Sequence, residues 1–167
     1  MNHLWAPWRV TYVTEPKVAD AACIFCDAPR GGDREARIVH RGAHGYLILN
    51  RYPYNSGHLM AVPYRHVARL DGLTPAEAEG LMSLAALAVR GLEQAMAPQG
   101  FNIGFNLGHA AGAGIGEHLH LHIVPRWVGD TNFMPVLGDV KVIPEHLDQS
   151  CARLTAAIEA AAAQPRG

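Results

Sequence analysis

Residues 118–124 read His-Leu-His-Leu-His-Ile-Val. An unbroken alternation of polar and apolar residues has period two, which suits an extended strand and no helix. On such a strand His118, His120 and His122 line one face, while Leu119, Leu121 and Ile123 line the other and can be buried. The three imidazoles then stand ~7 Å apart above an apolar underside. Pro125 cannot donate to a sheet ladder and is expected to limit the strand. A row of three imidazoles can serve as a reactive surface, a pH switch or a metal site. The metal reading is the weaker one for a single strand, because ligands generally converge from separate elements.

The chain around this strand has 167 residues, enough for one domain over residues 1–167 with a full hydrophobic core. Its net charge is −1 and it has no basic run, so non-specific nucleic-acid binding has no electrostatic support. No stretch reaches the ~18 apolar residues of a membrane span. The first residues, Met-Asn-His-Leu-Trp-Ala-Pro-Trp-Arg, lack the basic-then-apolar layout of a secretory signal, so a cytoplasmic location is expected. Three cysteines, of which only Cys23 and Cys26 lie close together, make no disulfide framework. Cys-x-x-Cys in a cytosolic chain means metal or redox chemistry. Without a βαβ pattern over residues 1–45, metal is favoured.

Residues 1–30 read as irregular, with residues 1–20 an arm carrying Trp5 and Trp8. Residues 46–50 and 58–62 read as strands joined by turn chemistry at Pro53, Asn55 and Gly57. Thr74-Pro75-Ala76-Glu77 is a capping box with proline at the first helical position. The helix it opens runs to about Ala97, with Leu81, Leu84, Ala85, Ala88 and Leu92 on one face, and Pro98 and Gly100 stop it. Phe101–Asn106 alternates as another strand, and the small-residue loop Gly108–Gly116 leads into the histidines. A C-terminal helix is predicted over residues 145–163, with Cys151 as core packing and a fraying Ala-rich end. Strands that outnumber helices and adjoin through short turns predict an antiparallel α+β domain.

A neutral imidazole can attack phosphorus when its other nitrogen is tied to an acceptor. His120, flanked by two imidazoles that can hold phosphate oxygens, is the best nucleophile candidate. Gly112, Gly114 and Gly116 let the loop backbone approach an anion and offer it N–H groups, although glycines also make ordinary turns.

The heptad resembles the His-φ-His-φ-His-φ-φ signature of the histidine triad (HIT) superfamily. The likeness extends through Leu49-Asn50-Arg51, Ser56–Met60, Val62–His66, Phe101–Gly104, Asn106 and the glycine loop, about residues 20–145. The tail Pro125–Pro135 is similar to a bacterial branch that includes diadenosine tetraphosphate phosphorylases. The resemblance implies a HIT-like antiparallel sheet with a long central helix, pairing as a homodimer. It implies that His120 carries a nucleotidyl group and His122 helps hold phosphates. It also implies phosphate support from His58, ribose contact at Asn50, and phosphate or leaving-group contact at Asn106. Asn50 and Asn106 read equally as strand-end or turn residues. Relatives place a structural zinc on Cys-x-x-Cys and two histidines, which correspond here to Cys23, Cys26, His66 and His118. Two thiolates and two imidazoles suit a closed tetrahedral site.

Two departures stand out. The loop Gly112-Ala-Gly-Ile-Gly116 has no hydroxyl where some relatives use Ser or Thr, leaving backbone donors. The third triad position is His122 rather than the Gln of the uridylyltransferase branch, which favours hydrolysis or phosphorolysis. The functional expectation is cleavage at the α-phosphate of dinucleoside polyphosphates, or of adenosine nucleotide conjugates, through a nucleotidyl-His120 adduct. The competing readings are a nucleotide-binding regulatory module with little turnover and a zinc-stabilised scaffold or redox protein built on the cysteine pair.

Overall fold

Extended stretches of alternating or β-branched residues satisfy their backbone by pairing, and the computed structural model shows five strands doing so. It describes residues 23–130 and 145–164. The Trp5 and Trp8 arm and the end of the family-like tail, residues 131–135, lie outside the described residues. In chain order the elements are α1 (Ile24–Asp27), α2 (Asp33–Ala36), β1 (Ile38–Arg41), β2 (Gly45–Leu49), β3 (Leu59–Pro63), α3 (Pro75–Met96), β4 (Gly100–Phe105), β5 (Leu121–Arg126) and α4 (Leu147–Ala163). The strands form one antiparallel sheet in the order β1-β2-β3-β5-β4. The α+β expectation holds. β1 has no counterpart among the strands expected from sequence, because four residues that bury both Ile38 and Val39 show no period.

The two sheet faces have different partners. Leu47, Leu49, Leu59, Ala61, Leu121 and Ile123 face α3 and α4 and share one core with Leu81, Leu84, Ala88, Leu92, Leu154 and Ile158. Tyr46, Ile48, Met60 and Val62 face the other way and pack around Phe25 of α1. Register puts Met60 and Gly104 beside His122, so the histidine site grows from this second face. α3 opens as expected: Glu77 N–H donates to Thr74 Oγ1 (3.3 Å) and Thr74 N–H to Glu77 Oε2 (2.8 Å). Gly57 sits at φ +77° where a Cβ would stand 2.7 Å from Met96 Sδ, so this turn requires glycine.

Several boundaries differ from expectation. Residues 23–30 are not irregular; Cys23 starts the single-turn helix α1 and a 3-10 turn follows over Ala28–Arg30. Asn50 and His58 lie just outside the β2–β3 ladder, although Asn50 N–H still donates to His58 O (2.9 Å). Pro125 does not end its strand. It pairs with Phe101 inside β5, in a position that asks for no donor: the neighbouring Arg126 O accepts from Gln99 N–H on the β4 side, and Pro125 O accepts from Asn55 Nδ2 instead (3.2 Å). α4 begins at Leu147 because His146 Nδ1 accepts from Asp148 N–H as its cap. Its alanine end does not fray: Ala161 is wholly buried in the core beneath the helices, and Cys151, further back, packs in the same core.

Candidate functional site

The strand expected over residues 118–124 forms only from Leu121 onward. His118, Leu119 and His120 run ahead of it, tied by Leu119 N–H to Val67 O (2.7 Å). The histidine face is not an open surface either: His118 is wholly buried, and His120 and His122 are 7% and 8% exposed. Nor do the rings keep strand spacing, for those of His120 and His122 approach edge-on to 4.8 Å between centroids.

Main-chain groups have fixed donor or acceptor character, so they settle which nitrogen of each ring carries the proton. His120 Nδ1 lies 2.8 Å from His118 O and must donate to it, leaving a lone pair on Nε2. Tyr54 N–H donates to His58 Nδ1 (3.0 Å), which puts the His58 proton on Nε2. That proton is donated across 2.9 Å to His122 Nδ1. His122 therefore carries its own proton on Nε2, a buried atom with no hydrogen-bond partner among the described residues. Two adjacent imidazoles thus present opposite groups, a lone pair at His120 Nε2 and an N–H at His122 Nε2. Both rings are held neutral. Burial pushes His122 down to about 4, with the neighbouring His120 adding to the effect. Burial lowers His120 as well, against the opposing pull of the His118 carbonyl.

The remaining sequence candidates gather around this pair unequally. His58 is wholly buried, one residue layer behind His122. Asn50 is engaged within its own loop, donating through Nδ2 to His58 Nδ1 (3.3 Å) and accepting from Tyr52 N–H through Oδ1 (2.9 Å). Asn106 donates to Tyr54 Oη (3.2 Å). Gly112 has φ +82°, which a side chain would strain, and Gly114 is half-buried in the same loop. Two aromatic residues escape sequence reasoning. The Tyr54 ring lies 4.7 Å from His58 and stacks 5.6 Å from His122, and Phe25 sits 4.9 Å from His120. The one available signal for Phe25 is its place inside Cys23-Ile-Phe-Cys26, since a helical turn that converges two thiols also aims the residue between them. Tyr54 occupies a turn with no period to flag it.

Cys23, Cys26, His66 and His118 come together from three places in the chain, their ligand atoms all within 4.8 Å of one another. Cys23 Sγ and Cys26 Sγ lie 3.3 Å and 3.5 Å from His118 Nδ1, and Cys26 Sγ lies 3.3 Å from His66 Nδ1. His118 Nε2–H donates to Pro63 O (2.9 Å), which leaves the Nδ1 lone pair facing the thiols. The cluster can hold a metal ion.

The sheet thus offers a nitrogen lone pair and a buried N–H on neighbouring imidazoles, held neutral by what lies behind each. A family model described as the HIT domain matches residues 32–128, more than half of the chain, and the chain belongs to the HIT family. It is 45% identical over 154 residues to an "AP-4-A phosphorylase" of Mycobacterium tuberculosis, covering 88% of this chain and 79% of that protein. It is 30% identical over 95 residues to the asymmetrical bis(5'-nucleosyl)-tetraphosphatase of Schizosaccharomyces pombe, covering 57% of this chain and 52% of that one. Among solved structures, a zinc-bound histidine triad family protein from Mycobacterium smegmatis shares the fold with a TM-score of 0.67, at 24% identity over 83% of this chain and 94% of that one.

Proposed function

We propose that the protein cleaves dinucleoside polyphosphates at an α-phosphate, by way of a nucleotide carried on His120. The observation that carries this reading is the 2.8 Å bond from His120 Nδ1–H to His118 O, which leaves a lone pair on Nε2 of the ring next to a His122 Nε2–H that has no hydrogen-bond partner among the described residues. The lone pair attacks phosphorus, a P–N bond forms, and the P–O bond to the remaining polyphosphate breaks with its electron pair leaving on oxygen. His122 Nε2–H donates to a phosphoryl or departing oxygen as charge builds there, a transition-state interaction already in place before reaction. His58 acts through His122 by fixing its tautomer. Water or inorganic phosphate then displaces His120 from phosphorus, and the P–N electrons return to the ring. Asn106, Gly112 and Gly114 are the nearby groups for phosphate oxygens, and Asn50 borders the site through His58.

Incubation with diadenosine tetraphosphate, with and without phosphate, tests the reading. AMP with ATP means hydrolysis; ADP with ATP, dependent on phosphate, means phosphorolysis, the reaction in the name of the 45%-identical relative. Intact substrate with measurable binding means a nucleotide-binding module instead. His120→Asn is expected to keep the fold and lose turnover by several orders of magnitude. Full activity in that variant overturns the mechanism.

The four-residue cluster is proposed to hold structural zinc. Zn–S near 2.3 Å and Zn–N near 2.0–2.1 Å put a tetrahedral S–N edge at about 3.6 Å. The three S–N separations of 3.3–3.5 Å lie close to that edge, and all four ligand atoms lie within 4.8 Å of one another. Reduced thiols of this kind accord with a cytoplasmic setting. No helix among the described residues is long and apolar enough to cross a membrane. The outer edge of β4, where Ile103 is 46% exposed, and the exposed Met82 of α3 support a homodimer built along that edge. A monomeric mass by light scattering at micromolar concentration counts against it.

A further inference from the structure

The histidine face of the sheet does not end at His122. β4 and β5 pair Gly104 with His122 and Asn102 with Val124, so the next positions on this face lie about 7 Å further along, and Arg126 about 7 Å beyond those. A cavity of about 200 Å³ opens there, lined by Tyr54, Asn55, Asn102, Val124, Arg126 and Asp130. It lies on the side of His122 away from His120, next to the ring whose Nε2–H meets the departing oxygen in the cleavage proposed above. Tyr54 links the two places, since its ring stacks on His122 and its side chain also forms part of the cavity wall.

The chemistry of the lining selects its occupant. Arg126 donates through Nε and Nη2 to the Asp130 carboxylate (2.6 and 2.7 Å) and through Nη1 to Asn102 Oδ1 (2.6 Å). Asn55 Nδ2 also donates to Asp130 (2.8 Å). The one cation is matched by a carboxylate, so the cavity carries no surplus positive charge for a phosphate. What remains is a buried apolar floor at Val124, a tyrosine wall, and the Asn102 amide, whose N–H groups are left over once its oxygen serves Arg126. These suit an uncharged heteroaromatic ring with polar edges. The volume lies below the ~300–1,000 Å³ of sites that enclose a whole drug-sized ligand, so one end of a longer molecule fits.

We propose that this cavity seats the second nucleoside of a dinucleoside polyphosphate, the half that departs with the leaving group. The inference rests on the proposed cleavage at His120 and adds to it the basis for preferring a dinucleoside over a mononucleoside polyphosphate. The subsite binds that half equally before and during reaction, so it acts on KM and leaves kcat alone.

The test compares kcat/KM for diadenosine tetraphosphate and adenosine 5'-tetraphosphate, which share the reacting half and differ in the second nucleoside. The wild-type protein is expected to prefer the dinucleoside by on the order of tenfold, the scale of one base stacked on an aromatic side chain. Asn102→Trp, at an exposed position of β4, fills the cavity, and Asn102→Ala removes its amide. Both are expected to erode the preference through a raised KM for the dinucleoside, with adenosine tetraphosphate cleavage within about twofold of wild type. Equal cleavage of the two compounds by the wild type overturns the subsite, as does a preference that survives Asn102→Trp or a parallel loss on both substrates. If the wild type cleaves neither compound, the cleavage reading itself fails and the subsite falls with it.

Discussion

His122 is the titratable group whose environment makes the firmest quantitative demand on the protein. Its ring is 8% exposed and lowered to about 4 from an ordinary 6.5, first by burial and then by the neighbouring His120. A depressed histidine favours the folded state wherever the unfolded chain keeps the ring neutral too. That contribution is complete above pH 6.5, and it is lost as pH falls toward 4, because the unfolded chain takes up the proton and the folded one resists. The full interval corresponds to about 3 kcal/mol, and the part lost between pH 7.5 and pH 5 is about 2 kcal/mol. His122→Asn removes this titration while keeping an amide oxygen near the place of Nδ1, where His58 Nε2–H can still donate.

The assay is urea unfolding of both proteins at pH 7.5 and pH 5, compared as a double difference. Acid-responsive groups that do not touch His122, including the cysteine–histidine cluster, are common to the two chains and cancel, and what remains belongs to His122 with its neighbours His58 and His120. Wild type is expected to lose about 2 kcal/mol more than His122→Asn over that interval. Equal losses would mean that His122 is not held neutral by burial, and would refute both the linkage and the hydrogen-bond chain that assigns its Nε2 proton.

Two further outcomes follow from packing and from the metal cluster. Gly91 of α3 faces α4 so closely that a Cβ would stand 2.5 Å from Ile158 Cγ1 and 3.2 Å from its Cα. Gly91→Ala is therefore expected to destabilise by about 1 kcal/mol, overpacking of ~1–3 kcal/mol outweighing the ~1 kcal/mol gain in helix propensity; a raised Tm contradicts this. Purified protein is expected to carry about one zinc per chain, and Cys23→Ser to release it and lower Tm; mass spectrometry of protein prepared without chelators that finds no metal removes the zinc assignment.

What the sequence shows of this molecule is what depends on period and on capping. The α3 stripe and the Thr74–Glu77 box read directly, because a period of 3.6 and a reciprocal hydrogen bond are both local. The chemistry-bearing residues read too, since polar side chains breaking into or alternating through apolar runs are conspicuous. What does not read is direction. Nothing near His58 in the chain says that its Nε2 meets His122, 64 residues away, or that Asn50 spends both amide atoms within its own loop. The meeting of Asn102 with Arg126 is likewise a product of register between strands. That register is fixed by burial of the opposite, aliphatic face rather than by the site residues themselves.

The departure of residues 118–120 from the expected strand has a chemical consequence. A carbonyl within a ladder is consumed by its neighbour strand, whereas His118 O lies before the first paired residue, Leu121, and accepts from His120 Nδ1–H. The same residue's ring is fixed at both nitrogens, Nε2–H on Pro63 O and Nδ1 toward Cys23 and Cys26. Its side chain therefore belongs to the cluster and its backbone to His120, the proposed nucleophile, so any metal that tightens the cluster also steadies the acceptor that sets the His120 tautomer. Loss of metal should then disturb turnover as well as stability, although no cluster residue need touch a nucleotide. Three adjacent histidines thus divide their work by what lies behind each: cysteine thiols at 118, a backbone carbonyl at 120, and another imidazole at 122.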